Sequence, residues 1–329
     1  MRHTVNTEST EPAAPGIPED MTDDHAAASL PGPPLTWFEH TDSTQQVVLD
    51  GASADPAAWP HGAAAATADQ RSGRGRLGRT WTASAGSSLA LSMVIRPAFA
   101  PAHWSWVTLV AAAVITDQLR EQGIPAQIKW PNDVLVEDGR KVSGILATVL
   151  PDRSGLVLGI GLNLDFGPAG PPVPTAADLT PWWAEAATLD RPTLAHRLRD
   201  AVLAAVGALD DSLAHEADPV DGTHLAVRHL TDRVATLGQR VRAEQPDGSH
   251  LIGQAVGLGA GGTLLLETED TAEHPDDGHA PSSVRAGHAQ PRHGMMGEAV
   301  PPRPSPPSPQ AMVRRVEISA ADVVHLRLH

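Results

Sequence analysis

The succession of short apolar segments between residues 127 and 164 is the feature that most constrains the fold. Turn-forming residues interrupt it at 131–133, 138–141 and 151–155, where Pro, Gly, Asp, Asn and Ser gather. Consecutive strands joined by turns this short are antiparallel neighbours, because a parallel pair needs a longer crossover connection. The sequence therefore predicts an α+β fold with a mixed, mostly antiparallel sheet flanked by helices, and argues against a doubly wound parallel sheet.

Hydrophobic spacing before and after this region predicts the remaining elements of the main domain. Apolar residues alternate with others over 89–96, as in a strand, and recur at three and four over 104–122 and 194–214, as in helices. A first strand is expected at 35–40, and a short buried strand within 62–69. A short helix is expected from Pro181 to about Ala187, with Thr180 as its cap.

Changes in composition divide the chain. Residues 1–34 are rich in Pro, Glu, Asp, Thr and Ala, which predicts a disordered tail. We expect a catalytic domain over 35–228 and a small SH3-like β-barrel over 229–329, interrupted by a low-complexity, disordered insertion at about 270–311. The strands expected in this second domain are 233–243, 249–256, 262–267, 313–318 and 323–328.

A basic glycine-rich segment at residues 73–79 is the first candidate for function. Three glycines and three arginines occupy six of these seven positions, Leu77 occupies the other, and Trp81 follows. Glycine lets backbone N–H groups approach an anion, and arginine matches carboxylate or phosphate with a planar fork. The segment predicts a mobile loop that closes over an anionic ligand. An RNA-binding patch and a plain solvated loop are the alternatives at this stage.

Composition excludes several classes of site. The chain has 329 residues, a net charge of -15 and no cysteine. The absence of cysteine excludes disulfides, thiolate metal sites and a cysteine nucleophile. The acidic charge is unfavourable for binding nucleic acid, which makes the local cluster of arginines more informative. The sequence shows no apolar run long enough for a bilayer and no signal pattern, so we expect a cytoplasmic protein with no membrane partner.

Three further groups of residues indicate a functional site only in combination with others. Lys129 lies at the end of a predicted strand beside Trp130, where an amine is unfavourable unless an anion meets it or its tip reaches water. Ser43 and Thr44 are, taken alone, ordinary helix caps. Glycines within the strands, at 144, 159 and 161, mark places where a ligand or a neighbouring backbone comes close.

Taken in order, these segments resemble the biotin protein ligase family. The resemblance rests on Ser43-Thr44, Gln70, the Gly-Arg-Gly-Arg-x-Gly-Arg-x-Trp segment, Lys-Trp-Pro-Asn-Asp at 129–133, Arg-Lys-Val-Ser-Gly at 140–144 and Gly-Ile-Gly-Leu-Asn at 159–163. It covers roughly residues 35–329 without the insertion. It implies a biotin/lipoate ligase-like catalytic domain and a small SH3-like domain. It also implies that MgATP and biotin yield biotinyl-5′-AMP and pyrophosphate, after which biotin passes to a lysine of a biotin carboxyl carrier domain.

The resemblance also assigns roles. Lys129 and Arg74 are the catalytic candidates, and Trp81 and Asn163 border the adenine. The biotin-binding candidates are Ser43, Thr44, Gln45, Gln70, Arg74, Gly75, Arg76, Lys129 and Lys141. The candidates for ATP and the adenylate are Arg74, Arg76, Arg79, Trp81, Asn132, Lys141, Gly144, Gly161 and Asn163. Mg²⁺ is expected with ATP, and no metal site built by the protein alone is expected.

Two positions depart from the family pattern. Gln45 stands where asparagine is usual, and Arg71 stands where a small polar residue is usual. The tail is too short and polar for a helix-turn-helix, so we expect a form without the N-terminal DNA-binding domain. We expect a monomer or a weak homodimer. The rival hypotheses are a lipoate or octanoate ligase of related fold and a non-catalytic RNA-binding protein.

Overall fold

A computed structural model of the chain describes residues 33–216, 218, 220–245, 247–269, 313–319 and 322–325. Nine strands precede the C-terminal region. They are β1 Leu35–Phe38, β2 Ala64–Thr67, β3 Gly73–Arg74, β4 Thr80–Trp81, β5 Ser88–Ile95, β6 Gln127–Lys129, β7 Asp133–Leu135, β8 Lys141–Val149 and β9 Leu156–Asn163. The helices are α1 Thr44–Ala54, α2 Trp106–Glu121, α3 Arg191–Leu213 and α4 Arg228–Thr231.

Seven of these strands form one sheet in the order β1-β2-β5-β9-β8-β7-β6. β1 and β2 are parallel, and each of the other neighbouring pairs is antiparallel. The last four strands follow one another as a meander. The expectation of a mixed, mostly antiparallel sheet with flanking helices is therefore confirmed.

Helices cover both faces of the interior strand β5, and all of its residues are buried. On one face Val94 packs with Val48 and Ala52 of α1. On the other face, Leu91 and Met93 belong to the large core that also contains residues of α2 and α3. The alternation that predicts the strand thus separates two apolar interfaces. This arrangement fixes the start of α1 against the sheet.

The C-terminal region forms a second sheet of five antiparallel strands. Its strands are β10 Arg240–Glu244, β11 His250–Leu258, β12 Leu264–Glu269, β13 Val313–Ile318 and β14 Asp322–His325, in the order β13-β12-β11-β10-β14. The expected start of the first of these strands at residue 233 is wrong. Residues 233–235 bond instead to the edge strand of the main sheet: the Ile128 amide donates to the Arg233 carbonyl at 2.7 Å, and the Ala235 amide donates to the Ile128 carbonyl at 2.8 Å.

Trp130 ties the turn after β6 to the C-terminal sheet. Its side chain is buried, and its indole Nε1 donates to the Gly262 carbonyl at 2.9 Å. Its backbone amide donates to the Thr236 hydroxyl at 2.9 Å. Thr236 is itself fully buried and also bonds to His325 Nε2 at 3.1 Å. The position of the segment 130–133 therefore depends on the second sheet.

Several local expectations need adjustment. The segment expected as a helix from residue 181 is a 3₁₀ turn, Ala184–Thr188, and Thr180 bonds to Asp178 instead of capping it. Helix α3 begins before residue 194 because Asp190 caps it through the Thr193 amide. Residues 1–32 and 270–311 lie outside the described residues. Within the described part of the chain, no helix is long and apolar enough to cross a membrane.

We expect Thr236→Val to destabilise the fold by about 1–3 kcal/mol, because it leaves the buried Trp130 amide without an acceptor. Thr193→Val is the matched control: that side chain is exposed, so its effect stays within about 0.5 kcal/mol. Urea denaturation of both variants measures the difference. Equal stabilities of the two variants would contradict the anchoring role of Thr236.

Candidate active site

A cavity of about 150 Å³ opens on the main sheet where α1, the glycine-arginine segment and strands β5 and β7–β9 meet. Thirteen of the residues proposed from the sequence line it. They are Ser43, Thr44, Gln45, Gln70, Arg74, Gly75, Arg76, Arg79, Trp81, Asn132, Lys141, Gly144 and Gly161. Segments far apart in the chain therefore converge on one place. Lys129 and Asn163 do not line this cavity.

One end of the cavity is polar but carries no charge. The Thr44 hydroxyl lies 2.8 Å from the Ser92 hydroxyl and donates to Gln70 Oε1 at 3.1 Å, which also accepts from the Thr44 amide. Gln45 continues this network on the other side of Ser92. Ser43 caps α1, with its hydroxyl 3.4 Å from the Gln46 amide. The cap thus fixes the backbone that presents Thr44 and Gln45.

The glycine-arginine segment is a short hairpin. β3 pairs with β4, and the Gly75 amide donates to the Arg79 carbonyl at 2.7 Å. Leu77 and Gly78 at its tip have φ values of 55° and 73°, the left-handed region that glycine tolerates best. The hairpin holds its arginines beside the cavity, as the sequence led us to expect. Whether it opens and closes remains a prediction.

Positive charge dominates the other end of the cavity. Among the lining residues, Arg74, Arg76, Arg79 and Lys141 are cationic, and Asp133 is the one carboxylate. Arg76 donates to Asn132 Oδ1 at 3.4 Å, and the amide nitrogen of Asn132 donates to the Ile145 carbonyl at 2.6 Å. The amide group of Asn132 is therefore held by the sheet. This end suits an anionic ligand group.

Arg71, one of the two departures from the family pattern, pairs with a carboxylate outside the cavity. Its guanidinium lies 3.5 Å from the Asp69 carboxylate, and it does not line the cavity. The side chain is more than half exposed.

Trp81 occupies the space over two of the strand glycines. A Cβ added at Gly161 would lie 2.6 Å from Cε2 of the indole, and one at Gly144 would lie 3.0 Å from Cζ3. Lys141 Nζ lies 5.3 Å from the Trp81 ring centroid and 2.7 Å from the Asp133 carboxylate. The sequence led us to expect that these glycines leave room for an intermediate. In this structure Gly161 makes room for Trp81, and Gly144 makes room for both Trp81 and Lys141, whose Nζ would lie 2.7 Å from an added Cβ.

A second cavity, of about 440 Å³, lies beyond Trp81, and Lys129 and Asn163 line it. It shares Arg79, Thr80, Trp81, Asp133 and Lys141 with the first cavity. The Asn163 amide nitrogen donates to the Ala177 carbonyl at 2.9 Å, which fixes the side chain. The structure therefore divides the proposed residues between two adjoining compartments with a common wall.

Lys129 also faces the C-terminal sheet. Burial lowers the pKa of His325, and the positive charge of Lys129 lowers the pKa of that imidazole further. At neutral pH His325 is therefore uncharged and does not repel the lysine. Its ring Nε2 forms a hydrogen bond with the Thr236 hydroxyl. The second sheet thus forms part of the environment of a candidate catalytic group.

Sequence reasoning missed Ser92 and Asp133. Ser92 is a buried hydroxyl in the middle of an apolar strand, and a buried polar side chain needs a partner. That signal was present in the sequence. Asp133 was interpreted as part of a turn and of the Lys-Trp-Pro-Asn-Asp motif but was given no role of its own, because its contact with Lys141 depends on the pairing of β7 with β8.

We expect Gly161→Ala to destabilise the protein by about 1 kcal/mol or more, because the new methyl group displaces the Trp81 indole. In a Trp81→Ala background the same substitution has much less effect, and the double-mutant cycle in urea measures this coupling. Gly207→Ala is the control: it lies in α3 with open space around it and stabilises the helix by roughly 0.5–1 kcal/mol. Additive effects at 81 and 161 would refute the contact.

Comparison with known proteins agrees with this geometry. The model of the Biotin/lipoate A/B protein ligase family matches residues 37–165. A biotin--[acetyl-CoA-carboxylase] ligase of Mycobacterium tuberculosis is 34% identical over 205 residues, which cover 60% of this chain and 70% of the relative. The bifunctional ligase/repressor BirA of Bacillus subtilis is 28% identical over 246 residues, covering 73% and 71%.

The fold is similar to that of solved ligases. The structure of a biotin protein ligase from Aquifex aeolicus in complex with biotin and ATP matches with a TM-score of 0.57 and 24% identity, over 72% of this chain and 93% of that chain. This likeness concerns the fold alone. The 34% identity to the Mycobacterium tuberculosis ligase, over 70% of the length of that relative, places the present chain in the biotin protein ligase family.

Proposed function

We propose a two-step reaction for this biotin protein ligase. In the first step a carboxylate oxygen of biotin attacks the α-phosphorus of ATP, the bond to the bridging oxygen breaks, and pyrophosphate leaves. Biotinyl-5′-AMP, a mixed anhydride, remains. In the second step the ε-amine of a lysine on a carrier protein attacks the biotinyl carbonyl, AMP leaves with the bonding electrons, and the new amide loses a proton.

The observation that carries this proposal is the polarity of the first cavity from end to end. Its uncharged end offers hydroxyl and amide groups from Thr44, Gln70 and Ser92, which match the donors and acceptors of a ureido ring. Its other end offers Arg74 and Arg76. A ligand with a neutral cyclic urea at one end and a carboxylate at the other fits this arrangement.

The cationic end supplies the stabilisation that adenylation needs. Negative charge accumulates where carboxylate and α-phosphate meet, so donors already in place there lower the barrier. We assign Arg74 and Arg76 to the carboxylate and the phosphate. Lys141 approaches the same place from β8, held by Asp133 at 2.7 Å. Gly75 brings the hairpin backbone to the cavity without a side chain.

We assign the adenylate to the region on both sides of Trp81. Arg79, Asn132 and the two glycines under the indole belong to this region. Asn163 and Lys129 line its far side. We propose that Trp81 shifts from Gly144 and Gly161 and stacks on adenine when the nucleotide enters, and that the hairpin then shields the anhydride from water.

Mg²⁺ is proposed to accompany ATP. Mg²⁺ keeps several waters and is held by one or two carboxylates with substrate phosphates. The carboxylate of Asp133 lines both cavities and fits such a role. The ion supplies positive charge to the phosphates when bound, and the arginines orient the reacting groups.

The remaining assignments follow from the resemblance. We propose a catalytic domain over 35–228 and an SH3-like C-terminal domain over 229–329 with the insertion at about 270–311. The proposed partner is the biotin carboxyl carrier domain of an acyl-CoA carboxylase, in the cytoplasm. We propose a monomer or weak homodimer without DNA binding.

Release of pyrophosphate from MgATP tests the proposal. We expect release with biotin and not with lipoate, octanoate or no acid, because the uncharged end of the cavity matches a urea. Release with lipoate or octanoate would favour a ligase of the related kind. No pyrophosphate release with any of the acids, together with a salt-dependent RNA mobility shift, would favour the RNA-binding hypothesis.

Lys129→Ala should lower the rate of adenylate formation by about 10²–10³-fold, because it removes positive charge beside the phosphates. Arg71→Ala is the control, since that arginine pairs with Asp69 and does not line the cavity. Quenched-flow formation of biotinyl-AMP, with circular dichroism to verify folding, gives the comparison. A folded Lys129 variant with the wild-type rate would remove this residue from catalysis.

A further inference from the structure

The backbone on both sides of Lys129 is held by a segment outside the main sheet. Residues 233–236 run beside β6, where two backbone hydrogen bonds join them to Ile128. Thr236, at the end of this segment, accepts the Trp130 amide at 2.9 Å. The residues before and after Lys129 are therefore both bonded to this segment, and the position of the lysine depends on that of Thr236.

His325 of β14 supplies the other hydrogen bond of Thr236. Its ring Nε2 lies 3.1 Å from the Thr236 hydroxyl, which belongs to a fully buried residue. Because the hydroxyl oxygen already accepts the Trp130 amide, the hydroxyl proton is what the threonine can offer to the ring. Nε2 is then the acceptor, and the ring proton lies on Nδ1. Two consecutive hydrogen bonds thus connect His325 to the backbone beside Lys129.

A protonated ring would break this arrangement. Both nitrogens of an imidazolium are donors, so Nε2 would no longer accept the Thr236 proton. That proton would be left without an acceptor in a buried place, which is costly. The charged ring would also meet the positive charge of Lys129, which, after burial, is the second cause that lowers the pKa of His325. The bonds beside Lys129 therefore require His325 to be neutral.

Lys129 is the charged residue that acts on His325 in the described part of the chain. The neighbour of His325 across the ladder on β10 is Val241, which is fully buried. In the segment 233–236, Arg233 is turned to Asp117 of α2 at 2.6 Å. The residues on either side of Val241 lie on the opposite, exposed face of β10; they are Arg240 and Arg242. Among these groups no carboxylate faces the ring, so protonation of His325 is opposed.

We propose that His325 is a positioning residue for Lys129: its neutral ring accepts the Thr236 hydroxyl proton. The hydroxyl oxygen then holds the backbone amide that follows the lysine. The inference rests on the proposed function, in which Lys129 stabilises negative charge as the adenylate forms, and adds to it a group of the C-terminal sheet that fixes where this charge lies. His325 acts through Thr236 and touches no substrate. Acidification lowers the rate of adenylation, because a protonated His325 no longer supports the lysine.

The pH dependence of His325→Gln tests this role. Glutamine keeps an acceptor for the Thr236 proton but has no group that titrates near neutral pH. The measured quantities are kcat and KM for biotin in pyrophosphate release, between about pH 5 and 8, the range in which histidine changes its charge. We expect kcat of the wild type to fall at low pH. His325→Gln should match the wild type at neutral pH and lack that fall.

His325→Phe removes the acceptor and keeps a ring. It should lower kcat about tenfold or more at every pH, because a small displacement of a catalytic group is costly. KM for biotin should stay at the wild-type value, since the groups that line the uncharged end of the first cavity are not touched. Circular dichroism verifies folding, and if this variant does not fold, the pH profile of His325→Gln decides.

His229→Gln is the matched control. Burial, and then the charge of Arg233, lower the pKa of His229 as well. This histidine lies on α4 and lines neither of the two cavities. The control should keep the wild-type kcat at neutral pH and the wild-type fall at low pH. Loss of the fall in this control would overturn its assignment to His325.

The tautomer of His325 is measured independently of activity by NMR of protein with nitrogen-labelled histidine, and His325→Gln identifies the signal. We expect Nε2 to be unprotonated at neutral pH, and a proton on Nε2 would overturn the inference even in an inactive protein.

The remaining outcomes separate the inference from the proposed function. A wild type that releases no pyrophosphate with biotin would overturn the proposed function. Normal release with the same pH profile in the wild type and in His325→Gln would overturn the positioning role alone. A folded His325→Phe with the wild-type kcat would do the same.

Discussion

The anchoring of Trp130 by the C-terminal sheet is the constraint on which the site depends. The indole bonds to Gly262 and the backbone amide to Thr236, so the segment that carries Lys129, Asn132 and Asp133 is fixed from the second sheet. The main sheet holds the other end of this turn, where Asn132 bonds to Ile145 through both its side chain and its carbonyl. The C-terminal region therefore helps to position residues of the candidate active site.

The first cavity has uncharged hydrogen-bonding side chains at one end and cationic side chains at the other. The neutral network of Thr44, Gln45 and Ser92 depends on the start of α1, which a serine cap fixes against the sheet. The three arginines of the cationic end lie on or beside the hairpin of β3 and β4, which is separate from the main sheet. In the proposed function, the uncharged ring therefore meets side chains fixed by a helix and the main sheet, whereas the anionic groups meet the hairpin.

Much of this organisation follows from sequence, and the rest depends on long-range contacts. Short turns predict the antiparallel meander because the chain has no length for a crossover. The sequence predicts residues 233–235 as part of a strand of the second sheet, because nothing in the local sequence indicates that they hydrogen-bond to Ile128. The motif residues gather as expected, yet Lys129 lines only the adjoining cavity. Asp133 and Lys141 line both cavities and form part of the wall between them. The fit of Trp81 over Gly161 is equally invisible in sequence.

The common wall between the two cavities has a thermodynamic consequence. Arg79, Thr80, Trp81, Asp133 and Lys141 border both compartments. A ligand that shifts this wall from one side changes the free energy of filling the other side. Linkage then requires reciprocity: whatever factor one occupant imposes on the affinity of its neighbour, the neighbour imposes the same factor in return. If the proposed ligands fill both cavities, the ion pair and the indole between them couple the two binding equilibria.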